Sequence, residues 1–389
     1  MSTASRTVIW SLSAANFVVG MGAFLVIGIL EPLAQDLGAS RAAAGNLMTT
    51  YALTYAVLSP LLVAATGRIG RRRVLAAGFS LYGLASLASA LAPDITTLHL
   101  ARALAAAGAG VITPVAAAVA ATLVSADQRA RTLALVFAGI TVAQALGIPA
   151  GSWLAYTIGW RWAFGVVALL SLPALILLWR MIPPGLPFHA VALRDLRANL
   201  TSLPIMVSVL FTTTFLGAIF VLYTYFTPLL AQVQGLGRDG ISLMLLLFGI
   251  GAIFGNLIGG ILSDRFGPSR TLIGLCLAQL AVLPLFSILP LNPWVLGLIV
   301  LIWSVIGWSF GAAQQVRLII LDATQAPVLL SLNAAGVYIG TALGAFIGGL
   351  VLAGFGPGLL GLAAAAGVAL SLAHLLWSDK LNRRTFPAP

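Results

Sequence analysis

Arg102 lies inside an apolar run, 97–123, that holds no acid to neutralise it. An arginine within a membrane span is expensive unless it is paired or wet, and it marks a functional position by default. The competing reading is structural, with the guanidinium bonding carbonyls of a neighbouring helix. His99 stands three residues earlier, a spacing that shares one helix face. An imidazole suits proton exchange near neutral pH, although a histidine close to a helix end is also an ordinary interfacial residue. Other chemistry finds no foothold. There is no GxxxxGK[ST] phosphate loop, no metal-ligand cluster and no nucleophile–base pair, so the chain reads as a non-enzyme without a cofactor and without ATP drive. Its one cysteine, Cys276, excludes an internal disulfide and a cysteine metal site.

A second cluster of charge sits in a turn. Gly255-Asn-Leu-Ile-Gly-Gly260-Ile-Leu-Ser-Asp264-Arg265-Phe-Gly267-Pro-Ser-Arg270 closes one apolar run and opens the next. An earlier stretch echoes it, from Ser59 through Gly67-Arg68-Ile-Gly70-Arg71-Arg72-Arg73. Arg68 pairs with Arg265 and Gly70 with Gly267 at an offset of 197 residues, close to half of the 389. The same offset carries Leu146-Gly147-Ile-Pro149-Ala-Gly151 onto Leu343-Gly344-Ala-Phe346-Ile-Gly348, and Gly20 onto Gly217. The chain therefore reads as a duplicated six-plus-six architecture. Glycine permits the tight turns, and cations beside helix carbonyl ends favour the dipole. Arginines that merely fix the loop on one side are the plainer alternative.

The elements that must position these residues follow from composition. Hydrophobic residues make up 60 % and charged residues 7 %, too few charges to clothe a soluble protein of this length. Runs of roughly 20 apolar residues number twelve: 8–30, 44–66, 73–92, 97–123, 132–155, 161–182, 204–231, 240–262, 270–290, 293–316, 327–353 and 357–378. In lipid each must close its own hydrogen bonds, so an all-α fold of twelve transmembrane helices is expected, not a barrel. The first run is longer than a signal-peptide core and reads as a true span. Net charge is +11, and its placement argues against nucleic acid. Sixteen Lys and Arg fall on the side of the termini and three, Arg41, Arg161 and Arg238, on the other. That bias places both termini in the cytoplasm. The expected organisation is an N-terminal half over 1–182, a proline-bearing linker over 183–203 with Arg194, Asp195 and Arg197, and a C-terminal half over 204–389. Two such halves around a central cavity suit alternating access.

These motifs resemble the major facilitator superfamily. The closest likeness is to its twelve-span drug–proton antiporter branch and to bacterial sugar-efflux and purine-nucleoside-efflux permeases. Gly260 to Gly267 fits that family's cytoplasmic turn. Leu98-His-Leu-Ala-Arg102, with Gly108 and Pro114, resembles the fourth-helix arginine motif. Gly139, Gly147, Pro149 and Gly151 resemble the exporters' fifth-helix motif, followed by Gly159-Trp-Arg-Trp-Ala-Phe164. Tyr223-Thr-Tyr-Phe-Thr-Pro228 and Gln315-Val-Arg317 with Ser331-Leu-Asn333 also resemble this group. The resemblance implies a secondary transporter of the bacterial inner membrane, exporting a small organic molecule, monomeric and driven by the proton gradient. It implies a role for Arg102 in coupling or in holding the helix core. The two turns, Arg68, Gly70, Arg71 and Arg72 with Gly260, Asp264, Arg265 and Gly267, would form a latch favouring the outward-facing state. Gly139, Gly147, Pro149, Gly151, Gly344 and Gly348 would bend or pack the fifth and eleventh helices.

In that fold the first, fourth, seventh and tenth helices line the cavity. Candidate substrate contacts are then Asn16, Arg102, Tyr223, Tyr225, Trp303 and Trp308, with Gln144, Asn256, Asn333, Tyr338 and His99 from their surroundings. Two departures stand out. Gly67 occupies the place matching Asp264, and the segment Gly20-Met-Gly-Ala23-Phe24 carries no acid, with Glu31 and Asp36 falling at or past the helix end. With no buried acid expected, the substrate should be neutral, zwitterionic or anionic, and an uncoupled facilitator is the alternative. A non-transporting receptor or scaffold is the alternative of another class.

Overall fold

Hydrocarbon offers a backbone N–H or C=O no partner, so each apolar run bonds to itself and becomes a helix. The structure, a computed structural model, describes residues 3–67, 69–124, 129–183, 200–322 and 326–385. Arg68 and most of the expected linker, with Arg194, Asp195 and Arg197, lie outside them. The chain divides into two compact units, 1–190 and 191–389. The first holds α1 (Thr3–Asp36), α2 (Arg41–Ala65), α3 (Arg71–Ala90), α4 (Ile95–Thr122), α5 (Arg129–Val142), α6 (Ile148–Ile158) and α7 (Trp160–Met181). The second holds α8 (Leu203–Tyr223), α9 (Phe226–Gln232), α10 (Arg238–Phe266), α11 (Pro268–Val282), α12 (Pro293–Trp308), α13 (Phe310–Leu321), α14 (Ala326–Phe355) and α15 (Leu360–Thr385). Among the described residues twelve stretches are long and apolar enough to cross a membrane. They coincide with the twelve expected runs.

The helix ends have local causes. Asp94 precedes α4 and accepts the Thr97 N–H at 2.8 Å, which leaves one fewer free donor in the first turn. That N–H bond is the main reason the Asp94 carboxyl sits below its ordinary range. A carboxylate with a depressed pKa contributes its stabilisation above the unfolded value and loses it as pH falls through the folded one. Amide exchange at Thr97 is therefore expected to stay slow at neutral pH and to lose protection only in acid below the ordinary carboxylate range. Exchange at that amide unchanged by acidification would remove the cap from the account. Asn292 caps α12 in the same way, accepting the Trp294 N–H at 2.9 Å.

The two charged turns, though related by the repeat, are not alike in backbone. Gly267 has φ of 81°, a conformation that favours glycine. Gly70 has φ of −56°, which any residue adopts.

Between α5 and α6 the chain opens into one π-helical turn, Ala143–Gly147, with the Ile148 N–H bonding the Ala143 carbonyl. Proline supplies no N–H to the preceding turn, and the wider turn is how the helix absorbs that loss.

Candidate functional site

In unit 1 every residue of α1 from Val18 to Leu30 is buried. One face of this stretch presents carbonyls to donors from two other helices. The Tyr82 hydroxyl of α3 lies 3.0 Å from the Val19 oxygen and 3.3 Å from that of Val18. One turn on, Arg102 of α4 donates from Nη1 to Gly22 at 2.7 Å and from Nη2 to Ala23 at 3.0 Å. Its guanidinium stacks 4.3 Å over the Tyr51 ring of α2 and 5.7 Å from Phe164 of α7. Arg102 is 1 % exposed, and its Nε has no hydrogen-bond partner. Glycine at 22 has a steric cause, since a Cβ there would run into the Tyr82 hydroxyl.

Further along α1, Asn16 joins three helices. Its amide donates to the Val136 carbonyl of α5 at 3.1 Å and accepts from Thr113 of α4 at 3.0 Å. Gln144 is buried in the π turn with its Oε1 unpartnered. His99 is half-buried, with Nδ1 2.7 Å from the Thr50 hydroxyl of α2. His99 and Arg102 thus engage different helices, α2 and α1, despite their spacing.

Unit 2 arranges its candidates differently. Trp303 of α12 is fully buried in a nest of rings, with Phe248 at 4.8 Å, Phe286 at 4.9 Å, Phe226 at 5.4 Å and Tyr223 at 6.0 Å. Tyr225 donates to the Ala345 carbonyl at 2.8 Å. These three aromatics pack among rings and helices of their own unit. Asn333 of α14 accepts from Thr212 of α8. The repeat offset carries Asn333 onto Val136, so both units tie their first helix to their fifth, with the amide supplied by opposite partners. Asn256 donates within its own helix, to Ala252 at 3.0 Å. Trp308 and Tyr338 are half-buried.

The fifth-helix glycines are points of helix contact. Small residues let backbones approach closely, which in lipid is a main source of helix affinity. A Cβ on Gly139 would meet Phe17 N at 2.9 Å, and one on Gly147 would meet Met21 at 3.1 Å. A Cβ on Gly151 would strike Leu25. In unit 2 Gly336, Gly340, Gly344 and Gly348 form the matching ladder against α8. Gly336 and Gly340 were missed by the sequence reading, although the repeat offset carries Gly139 onto Gly336. Tyr82 was missed as well.

Asp264 and Arg265 are exposed, and Asp264 has no ion-pair partner among the described residues. Arg71 is buried and reaches the Gly67 carbonyl at 3.5 Å. Arg72 lies 4.1 Å over the Trp179 ring. Gly260 faces open space. A more enclosed pair lies elsewhere. Arg317 of α13 holds Asp379 of α15 at 2.8 Å and Ser378 at 2.6 Å.

The expectation that no acid is buried is overturned. The apolar run ends at Leu30, but α1 continues to Asp36, and Glu31 is 4 % exposed. Its charge is matched by Arg41, which donates twice at 2.8 Å, and by Gln35 at 2.8 Å. Asp36 likewise lies within α1 and pairs with Arg161. The two members of the Glu31 pair differ in access to water, at 5 % for Glu31 and 39 % for Arg41. Arg41→Ala strands a buried carboxylate and is expected to destabilise by about 1–3 kcal/mol, discounted for the exposed partner. Glu31→Gln frees a cation that reaches water and should cost under about 1 kcal/mol. Unfolding in detergent micelles compares the two, and equal losses would show that Glu31 is hydrated.

Comparison with known proteins agrees with this architecture. The profile of the Major Facilitator Superfamily matches residues 12–325. The inner membrane transport protein YdhP of Escherichia coli (strain K12) is 32 % identical over 372 residues, covering 94 % of each chain. A chloramphenicol resistance protein of Streptomyces lividans is 31 % identical over 374 residues, covering 95 % of this chain and 94 % of that protein. Among solved structures, a bacterial homologue of the human lysosomal transporter Spinster matches with a TM-score of 0.74 at 18 % identity, over 100 % of both chains. With its twelve apolar helices and internal repeat, the chain belongs to the Major Facilitator Superfamily of multi-pass membrane transporters.

Proposed function

We propose that this transporter exports a small uncharged organic molecule across a bacterial inner membrane by alternating access, in exchange for protons. The observation that carries the substrate class is the way the buried charges are matched. Glu31 is held by Arg41 and Asp379 by Arg317, and the Arg102 guanidinium is bonded to carbonyls. A multivalent cation would find no spare carboxylate among these groups, and a buried unmatched charge is costly. A relative named for chloramphenicol resistance supports export of a small molecule. Glu31 is the acid we assign to coupling, because its protonation would release Arg41. Arg41, Arg161 and Arg238 are the three cations on one side of the helices, against sixteen Lys and Arg on the other. That distribution supports cytoplasmic termini. In this reading one chain suffices, with no cofactor.

The test is transport in liposomes with and without a pH gradient, on a panel of chloramphenicol, a neutral sugar, a nucleoside, an organic anion and ethidium. Uphill movement of a neutral compound that collapses with the gradient is expected. Preference for ethidium would sink the substrate class. Transport indifferent to the gradient would assign the facilitator reading, which the absence of a spare carboxylate among the pairs above favours.

A further inference from the structure

Two grooves open on the outer faces of the helices, one in each unit, and the repeat relates them. The first, of ≈ 430 Å³, lies between α3 and α7 and is lined by Ala76, Ser80, Leu175, Ile176, Trp179 and Arg180. The second, of ≈ 360 Å³, lies between α11 and α15 and is lined by Ile273, Leu376, Asp379, Lys380 and Arg383. The 197-residue offset carries Ala76 onto Ile273 and Trp179 onto Leu376. It also carries Arg73 onto Arg270, each three residues before the groove residue of its helix and so over the same face. Arg73, Arg270, Arg180, Lys380 and Arg383 are all exposed.

Each groove therefore has an apolar floor and a cationic rim. From Arg180 to Leu175 the helix descends five residues, roughly 7.5 Å at 1.5 Å per residue. The floor faces outward, where Leu376 is 51 % exposed and Trp179 43 % exposed. An exposed tryptophan close to a helix end suits the membrane interface. The first groove has no acid in its lining. In the second, Asp379 is already bonded by Arg317 at 3.1 Å and 2.8 Å, which leaves Lys380 and Arg383 uncompensated. Bulk lipid would fill any apolar groove, but a duplicated cationic rim selects for negative charge.

We propose that each groove seats one anionic phospholipid, with its phosphate among the rim cations and an acyl chain along the floor. The test uses the full chain, purified and delipidated in a neutral detergent, and native mass spectrometry with dioleoyl phosphatidylglycerol and dioleoyl phosphatidylcholine. Two phosphatidylglycerol molecules per chain are expected, with phosphatidylcholine at least tenfold weaker. Arg73→Gln with Arg180→Gln should remove one, and Arg270→Gln with Lys380→Gln and Arg383→Gln the other. Ala76→Trp and Ile273→Trp fill the grooves without altering charge, and each should also remove one, which keeps the test decisive if a glutamine variant misfolds. Glycerol 3-phosphate is expected not to compete, and displacement by it would reassign the rims to free phosphate. Equal retention of the two lipids, or two phosphatidylglycerols on the five-fold glutamine variant, would overturn the proposal.

Discussion

Arg102→Met is expected to leave the protein at least as stable as wild type while slowing transport by tenfold or more. The guanidinium is buried against two carbonyls and two rings, and its hydrogen bonds run to neutral groups. Neutral partners only partly offset the loss of hydration, and a well-packed apolar side chain of similar volume is often neutral or stabilising in such a place. Methionine fills the space and removes the charge. It therefore favours the conformation seen here over any in which position 102 meets water. A transporter must visit both, and a shift of about 1.4 kcal/mol in that balance is a tenfold change in population. Arg102→Ala should fail on both counts, since it adds a cavity costing about 2–5 kcal/mol. Thermal unfolding in detergent and liposome flux read the two effects separately. A methionine variant that transports at the wild-type rate would confine Arg102 to packing.

Gly344→Ala is expected to destabilise unit 2 by about 2 kcal/mol or more, a large effect for one methyl group. The added Cβ would lie 2.7 Å from Phe220 Cβ and 3.0 Å from the Phe220 carbonyl carbon, and would collide with the Gly217 oxygen. Backbone cannot step aside as a side chain does, so α14 and α8 must separate along their glycine contact. Gly274→Ala provides the contrast. It lies inside α11 with nothing within 4 Å of the new Cβ. There alanine should stabilise by about 0.5–1 kcal/mol through the lost freedom of the unfolded chain. If both variants unfolded alike, steric contact would not be the cause.

The helices were legible because hydrophobicity alone decides them, and twelve apolar runs have no other solution in lipid. Arg102 was legible for the converse reason, as a charge where none is tolerated cheaply. Its partners were not, because the carbonyls of Gly22 and Ala23 leave no mark in residue type. Tyr82 escaped for the same reason, being one tyrosine in an apolar run until α1 is placed against it. Glu31 was misplaced because hydropathy falls before the helix ends. Only the fold shows Arg41, ten residues on, returning to neutralise it. Trp303 and Tyr223 read as a surface for ligands, yet their rings close on Phe248 and Phe286. A sequence gives the chemistry of an aromatic but not the direction it faces.

The offset that relates the two units carries helices faithfully and buried charge not at all. Arg102 answers to Ile299, while Arg317 and Asp379 answer to Ala120 and Ile182. A tandem of two first units would therefore carry the solitary guanidinium twice and the arginine–aspartate clasp never, and a tandem of two second units the reverse. The duplication left one scaffold carrying two different charge arrangements, so a homodimer of either half would lack one of them.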